Sequence, residues 1–317
     1  MKEGQASKTA ENVAGFRALE SFKPTNERVL DDPYAVHFLS GMYSTIAKSR
    51  FLVSNRLLVK FMNWYISSFI PGGINFDIVK ARYIEDYLNQ CIEDGIEQLV
   101  LLGAGYDSRA YRVNALKEKV KVFEVDHPDS QRVKKDKVKR IFGYLPDYVV
   151  YVSVDFDDEK LDEKLFEGGY SENLKTLFIC EGVIYYLTAE VVDETLAFIA
   201  HNSGEGSSVI FDYTYESFIT GRVKESERMI RKAAQLGEPL IFGVEEGTVA
   251  EFLGKRGFYQ VKDMKAQSLD NVYFKGTNRT SSPYWAVVHA TVKQRKQIPL
   301  LRIPSYPAIK AHSLQIK

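Results

Sequence analysis

Apolar positions along this chain change their period near residue 98. Up to about Asp94 they recur at helical, amphipathic spacing, and from Gln98 onward short apolar runs alternate with helical stretches. The runs are Gln98–Leu102, Lys121–Asp126, Tyr148–Asp155, Thr176–Cys180 and Ser207–Asp212, mostly rich in β-branched residues and each ending near an acid or a turn. Between the last two, Thr188–Ile199 has helical spacing behind an N-cap at Thr188. This order predicts an N-terminal helical cap followed by an α/β core. The segment from Tyr215 to Pro239 is rich in charge, contains Met229, Ile230 and Leu236, and predicts a helical insertion. Gly247–Phe258 then reads as a short amphipathic helix closed by Gly257, which reaches the left-handed conformation that ends helices. A strand from about Tyr259 and another through Tyr284–Ala290 complete the sheet as an antiparallel pair. Past Thr291 come Pro299, Pro304 and Pro307 among basic residues without acids, which predicts an extended arm. The division expected is a cap over 1–95, a core over 96–292 with its insertion at about 215–240, and a basic tail over 293–317.

Composition narrows the class. The chain has 317 residues, 45% of them hydrophobic, enough for a substantial core. Its 42 basic residues balance 42 acidic ones, which removes the overall electrostatic footprint of a nucleic-acid binder. The first residues lack the apolar core of a signal peptide, and no apolar run approaches a bilayer's thickness; a cytoplasmic protein without a membrane partner is expected. Cys91 and Cys180 form no disulfide framework, and Cys180 lies in an apolar run where an inert buried thiol is expected. The five histidines have no ligand spacing, so no metal site is expected.

The chemistry concentrates after the first strand, where Leu102-Gly103-Ala104-Gly105-Tyr106-Asp107-Ser108-Arg109 is a glycine-rich turn. Gly103 and Gly105 remove side chains where backbone N–H groups approach a ligand. Ser108 stands where a dinucleotide fingerprint needs its third glycine, which favours S-adenosylmethionine over NAD. About 20 residues on, Lys121–Asp126 ends in carboxylates, the expected partners of both ribose hydroxyls. Asp107 fits a cofactor contact and a helix N-cap equally well. Glu181 ends a buried strand, where an acid without a partner is costly and a ligand amine is a natural one.

These residues also carry a family resemblance. The glycine turn, Phe123-Glu124-Val125-Asp126-His127-Pro128, Cys180-Glu181-Gly182-Val183-Ile184-Tyr185-Tyr186-Leu187 and, near the N-terminus, Asp31-Asp32-Pro33-Tyr34-Ala35 resemble the motifs of the leucine carboxyl methyltransferase family, over about Ala10 to Thr291 and most strongly its prokaryotic members. The resemblance implies a class I methyltransferase, a Rossmann-like α/β fold whose seven-stranded sheet holds S-adenosylmethionine at its carboxyl edge. It implies Gly103 and Gly105 at the methionine part, Asp126 on the ribose, Asp155 and Phe156 beside the adenine, and Glu181 near the amine. Arg82 resembles an arginine that meets a carboxylate, of cofactor or acceptor. Its rival role is an ion pair with Glu85 or Asp86 on its own helix. Arg17 resembles an N-terminal basic position, with spacing that departs from the eukaryotic pattern.

An O-methyltransferase acting on a carboxylate, or a hydroxyl, of a small-molecule acceptor follows. A carboxylate needs no general base, only alignment and an orienting cation, for which Arg82 or Arg17 are the candidates. Tyr186, or its neighbour Tyr185, lines the reacting centre, and Tyr213, Tyr215, Phe218 and Phe242 suggest an aromatic acceptor. An NAD-dependent oxidoreductase and a non-catalytic cofactor-binding protein are the alternatives.

Overall fold

The computed structural model describes residues 8–41, 71–155, 159–223, 226–235 and 237–293. Helix α1 (Lys8–Ser21) leads through a 3₁₀ turn at Ala35–Phe38 to the long helix α2 (Gly73–Glu93). The core follows as β1 (Gln98–Leu102), α3 (Arg109–Arg112), α4 (Leu116–Lys119), β2 (Lys121–Asp126), α5 (Pro128–Phe142), β3 (Val149–Ser153), α6 (Leu161–Glu167) and β4 (Thr176–Cys180). A 3₁₀ turn at Ile184–Tyr186, α7 (Ala189–His201) and β5 (Ser208–Thr214) come next, then α8 (Glu216–Ile219) and α9 (Ser226–Gln235) in the predicted insertion. The chain closes with α10 (Val249–Gly254), β6 (Phe258–Lys265), α11 (Ala266–Tyr273) and β7 (Trp285–Val292).

The strands form one seven-stranded sheet in the order β3-β2-β1-β4-β5-β7-β6. β1 to β5 run parallel, and β7 lies antiparallel to both β5 and β6. Every residue of β1, β4 and β5 is buried, which is why these strands read as unbroken apolar runs: a parallel sheet covered on both faces exposes neither side-chain row. At the outer strand β6 the ladder slips between Tyr259 and Lys262, and Gln260 takes a positive φ of 50° there, the mark of a bulge.

Strand order reverses at β1, which pairs with β2 on one side and β4 on the other, so the crevice for a ligand opens at their carboxyl ends. Register decides what meets there. Leu102 pairs with Val125 and Leu101 with Ile179, so Gly103, Asp126 and Glu181 leave the sheet at one edge. Helix α1 is fastened across this edge by Glu20, whose two oxygens accept from Arg279 Nη1 at 2.8 Å and Nη2 at 3.0 Å, while its Oε1 also accepts from the Val29 N–H. Apart from Lys293, the predicted arm lies outside the described residues, as does residue 156.

Candidate functional site

A cavity of about 460 Å³ opens at this carboxyl edge. Its floor is the turn after β1, Asp126 and His127 after β2, and Glu181 to Leu187 after β4; α1 and Gly237–Pro239 roof it, and Lys80 enters from α2. Gly103 and Gly105 both take positive φ, 64° and 42°. A Cβ on Gly103 would strike Val183 Cγ2, and one on Gly105 would sit 3.3 Å from Ala10 Cβ. The turn therefore demands glycine on conformation and on space.

Asp126 is fixed by two backbone donors. Its Oδ2 accepts from Gly105 N at 2.6 Å and its Oδ1 from His127 N at 2.7 Å; burial raises its pKa against their pull. Glu124, the other acid of β2, is engaged deeper in the core, 2.9 Å from Lys134 Nζ and accepting from the Tyr111 hydroxyl at 3.0 Å. Glu124 does not line the cavity, whereas Asp126 does.

Glu181 Oε2 lies 2.7 Å from Arg109 Nη1, and its Oε1 is buried with no hydrogen-bond partner. Arg109, 2% exposed, is the centre of a cluster: Nη1 also reaches Asp107 Oδ2 at 2.6 Å, and Nη2 donates to Ala81 O at 3.0 Å. Burial pushes the Asp107 carboxyl up, but the Arg109 charge, helped by Lys134 and Arg17, overrides it and holds the group at about 2. Asp107 lines the cavity, and its Oδ1 accepts from Arg109 N at 2.7 Å as the chain enters α3, whose N-cap position is Ser108. Arg109 is a residue that sequence reasoning missed.

Two further cations reach the cavity. Arg17 donates from Nε to Asp32 at 2.9 Å and from Nη2 to Tyr106 O. Asp32 is itself held by the Tyr34 and Ala35 N–H groups, so the Asp-Pro-Tyr-Ala motif forms the turn that positions Arg17. Lys80, also missed, is buried between Asp77 and Asp212, each at 2.9 Å from Nζ.

Arg82 is a correction. It does not line the cavity; 43% of its side chain is exposed, and Nε donates to Asp86 Oδ1 at 2.9 Å one turn along α2. The reason is helix phase: residues two apart point about 200° apart, so a helix that delivers Lys80 to the cavity turns Arg82 away.

Tyr185 and Tyr186 sit on the 3₁₀ turn and both line the cavity, with ring centroids 4.7 Å apart. Burial holds both phenols protonated well beyond their ordinary range, with Glu238 adding to the effect at Tyr186. Asp155 does not line the cavity; it lies at the rim, its Oδ2 3.8 Å from His127 Nε2, and Phe156 falls outside the described residues. The aromatic residues expected to shape an acceptor site do not line the cavity: Tyr213, Tyr215 and Phe218 are buried in the core and Phe242 packs partly buried against it. Tyr213 is buried with its hydroxyl on Asp263, Tyr215 is buried, Phe218 packs on Trp285, and Phe242 packs on Phe252. Ser108, at the third-glycine position, is buried and accepts from Arg112 Nε.

A glycine cradle that no Cβ enters, a ribose-type acid beside it and an orphaned carboxylate oxygen form a fitting set for the adenosyl and amino-acid parts of S-adenosylmethionine. The Bacillus subtilis protein named "Putative S-adenosyl-L-methionine-dependent methyltransferase YktD" is 30% identical over 220 residues, 68% of this chain and 72% of its own. A Parafrankia protein of the same description is 30% identical over 256 residues, 79% of this chain and 76% of its own. A crystal structure of a "putative methyltransferase" from Thermobifida fusca shares the fold at 10% identity, with TM-score 0.53 over 92% of this chain and 97% of that one. The chain is thus an S-adenosylmethionine-dependent methyltransferase. With residues 10–200 matching the model described as leucine carboxyl methyltransferase, it belongs to that family.

Proposed function

We propose that the protein methylates an oxygen, of a carboxylate or a hydroxyl, on a small-molecule acceptor. The observation that carries the reading is the cavity beside Glu181: it extends past the cofactor cradle to Tyr186 and is closed above by α1 and Gly237–Pro239, a chamber sized for a small ligand. In this reading the Gly103–Gly105 turn receives the methionine part of the cofactor, Asp126 the ribose, and Glu181 Oε1 the amine. Arg17 and Lys80 replace Arg82 as the cations beside the carboxylate end, and Asp155, at the rim, lies towards the adenine. When bound, the cofactor supplies an electrophilic methyl group; the chain's own part is to align the acceptor and exclude water, and alignment alone is worth effective molarities of about 10⁵–10⁸ M. Tyr185 and Tyr186, as protonated phenols, donate hydrogen bonds to the acceptor and take no proton from it. The free, buried thiols of Cys91 and Cys180 support a reducing, cytoplasmic setting.

Calorimetry with S-adenosylhomocysteine and with NAD, followed by transfer of labelled methyl groups to a small-molecule extract, tests the reading. Binding of S-adenosylhomocysteine without NAD binding, and label on oxygen, is the expected result; label on protein alone would refute the small-molecule acceptor.

A further inference from the structure

Resting on the reading that Asp126 takes the ribose, we infer that Lys134 is a positioning residue for the cofactor: through one peptide of the glycine turn it aims an N–H at Asp126, and it supports that carboxylate with its charge. The peptide joins Ala104 to Gly105. Lys134 Nζ donates to its carbonyl, Ala104 O, at 3.3 Å, and its N–H, on Gly105, donates to Asp126 Oδ2 at 2.6 Å. A trans peptide is planar, with its C=O and N–H pointing in opposite directions. The cation and the carboxylate therefore stand at the two ends of one amide dipole, and each favours the orientation that the other needs.

The turn by itself leaves that orientation open. Turning this peptide over changes ψ at Ala104 and φ at Gly105, and glycine accepts φ of either sign, 42° here. The cation on the carbonyl makes the selection. Lys134, on α5, is 1% exposed, lies 2.9 Å from Glu124 Oε1 and sits 5.8 Å from the centre of the Tyr111 ring, all of which fix it in place. Glu124 is held in turn by the Tyr111 hydroxyl, which also meets that of Tyr151 at 3.1 Å. The acid of β2 that stays off the cavity thus anchors the lysine that serves the acid on it.

The consequence falls on the ribose. Each Asp126 oxygen accepts one backbone N–H, Gly105 on Oδ2 and His127 on Oδ1. A carboxylate oxygen accepts two hydrogen bonds, so one place on each oxygen is left for a pair of neighbouring hydroxyls. Both places require the ionised acid. Burial opposes ionisation, while the Gly105 and His127 N–H groups, Lys134 and the His127 ring favour it. Tyr106, which also feels the Asp126 charge, stays a protonated phenol, pushed up to about 12. Loss of Lys134 frees the peptide and lets burial carry the Asp126 carboxyl upwards.

The test measures S-adenosylhomocysteine affinity by calorimetry across a pH series. Lys134→Met alone strands the buried Glu124 charge, so Glu124→Gln/Lys134→Met is compared with Glu124→Gln, from which it differs only at position 134. Glu124→Gln keeps affinity within about threefold of the unaltered protein. Adding Lys134→Met weakens binding at least about tenfold at pH 7, the size of one hydrogen bond to a charged group, and the fall on acidification sets in at a higher pH. His127 and the ligand's own groups titrate in both proteins and cancel between them. In an Asp126→Asn background the same change at position 134 loses no more than about threefold and moves no profile, as expected of two groups coupled through one peptide. Parallel pH profiles, or an equal loss with and without the Asp126 carboxylate, overturn the inference and leave the ribose assignment standing. Unchanged affinity in Asp126→Asn overturns that assignment and this inference with it. One further measurement needs no substitution: the Gly105 amide proton exchanges slowly in the cofactor-free protein. Exchange at the rate of an open turn until S-adenosylhomocysteine is added overturns the inference, whether or not the variants fold.

Discussion

Replacing Arg109 by Met separates the cation that organises the site from Arg82, the one the sequence pointed to. The substitution keeps an apolar stem of similar length and removes the guanidinium shared by Asp107, Glu181 and Ala81 O. Arg109 and its partners have side-chain exposures of only 3%, 13% and 12%, so two carboxylates lose their counter-charge inside the protein. Breaking a buried pair in this way costs about 3–5 kcal/mol. Arg82→Met removes an exposed i,i+4 pair with Asp86 and costs about 0.3–0.5 kcal/mol. Arg109→Lys falls between, because a point charge cannot bridge both carboxylates and the carbonyl at once. Acid stability gives an independent reading. Asp107 titrates at about 2 in the fold against an ordinary 3.8, so its stabilisation is complete above about pH 3.8 and is lost as pH falls through 2. The difference is worth about 2 kcal/mol. Without Arg109 only burial remains, which raises the carboxyl, and acid unfolding begins at higher pH. Urea denaturation of the three variants at pH 7 and pH 4, with S-adenosylhomocysteine calorimetry, checks this. Equal losses from Arg82→Met and Arg109→Met, or a loss below about 1 kcal/mol for the latter, would refute the argument.

Gly103→Ala carries about 1–2 kcal/mol of left-handed backbone strain plus about 1–3 kcal/mol of crowding against Val183, and adding Val183→Ala relieves only the second part; thermal denaturation of single and double variants measures both. Asp126→Ala weakens S-adenosylhomocysteine binding by about 1.5–3 kcal/mol, whereas Glu124→Ala, which strands Lys134, mainly lowers stability; calorimetry giving the reverse pattern moves the ribose to Glu124. His289, stacked on Tyr87 with centroids 4.0 Å apart, is lowered to about 4 by burial and by Lys262. Its neutral form is favoured in the fold, so stability is intact above about pH 6.5 and declines by up to about 3 kcal/mol as pH falls to 4; the slope flattens in His289→Gln if burial is the cause.

The strands were legible because a doubly covered parallel sheet leaves no polar alternation to blur them, and the glycine turn because only glycine tolerates both its φ and its neighbours. The closing pair also falls where the sequence places it, with β7 antiparallel to both β5 and β6. The aromatic residues misled because pairing, not composition, sets their direction: Tyr213 faces Ala286 across the β5–β7 ladder and is wholly inside.

The cations show where a sequence holds more than a motif comparison extracts. On α2 the buried stripe runs through Phe76, Lys80, Ile84 and Leu88, a spacing of four, and Lys80 stands within it while Arg82 stands off it. A base in an apolar stripe must meet an acid or a ligand, since an unpaired buried ammonium is too costly; helix phase therefore singles out Lys80, which a comparison of motifs passes over. Arg109 had no such signal, because its decisive partner, Glu181, lies 72 residues away, just past the end of the neighbouring strand β4. The same holds for Glu238. In the sequence it is one acid in a charged insertion, and only the fold sets it against Thr9 and beside the cavity. Strand and turn chemistry are local, whereas Lys80, Arg109 and Glu238 find their partners 132, 72 and 229 residues away, so folding alone brings these charges to the cavity and its floor.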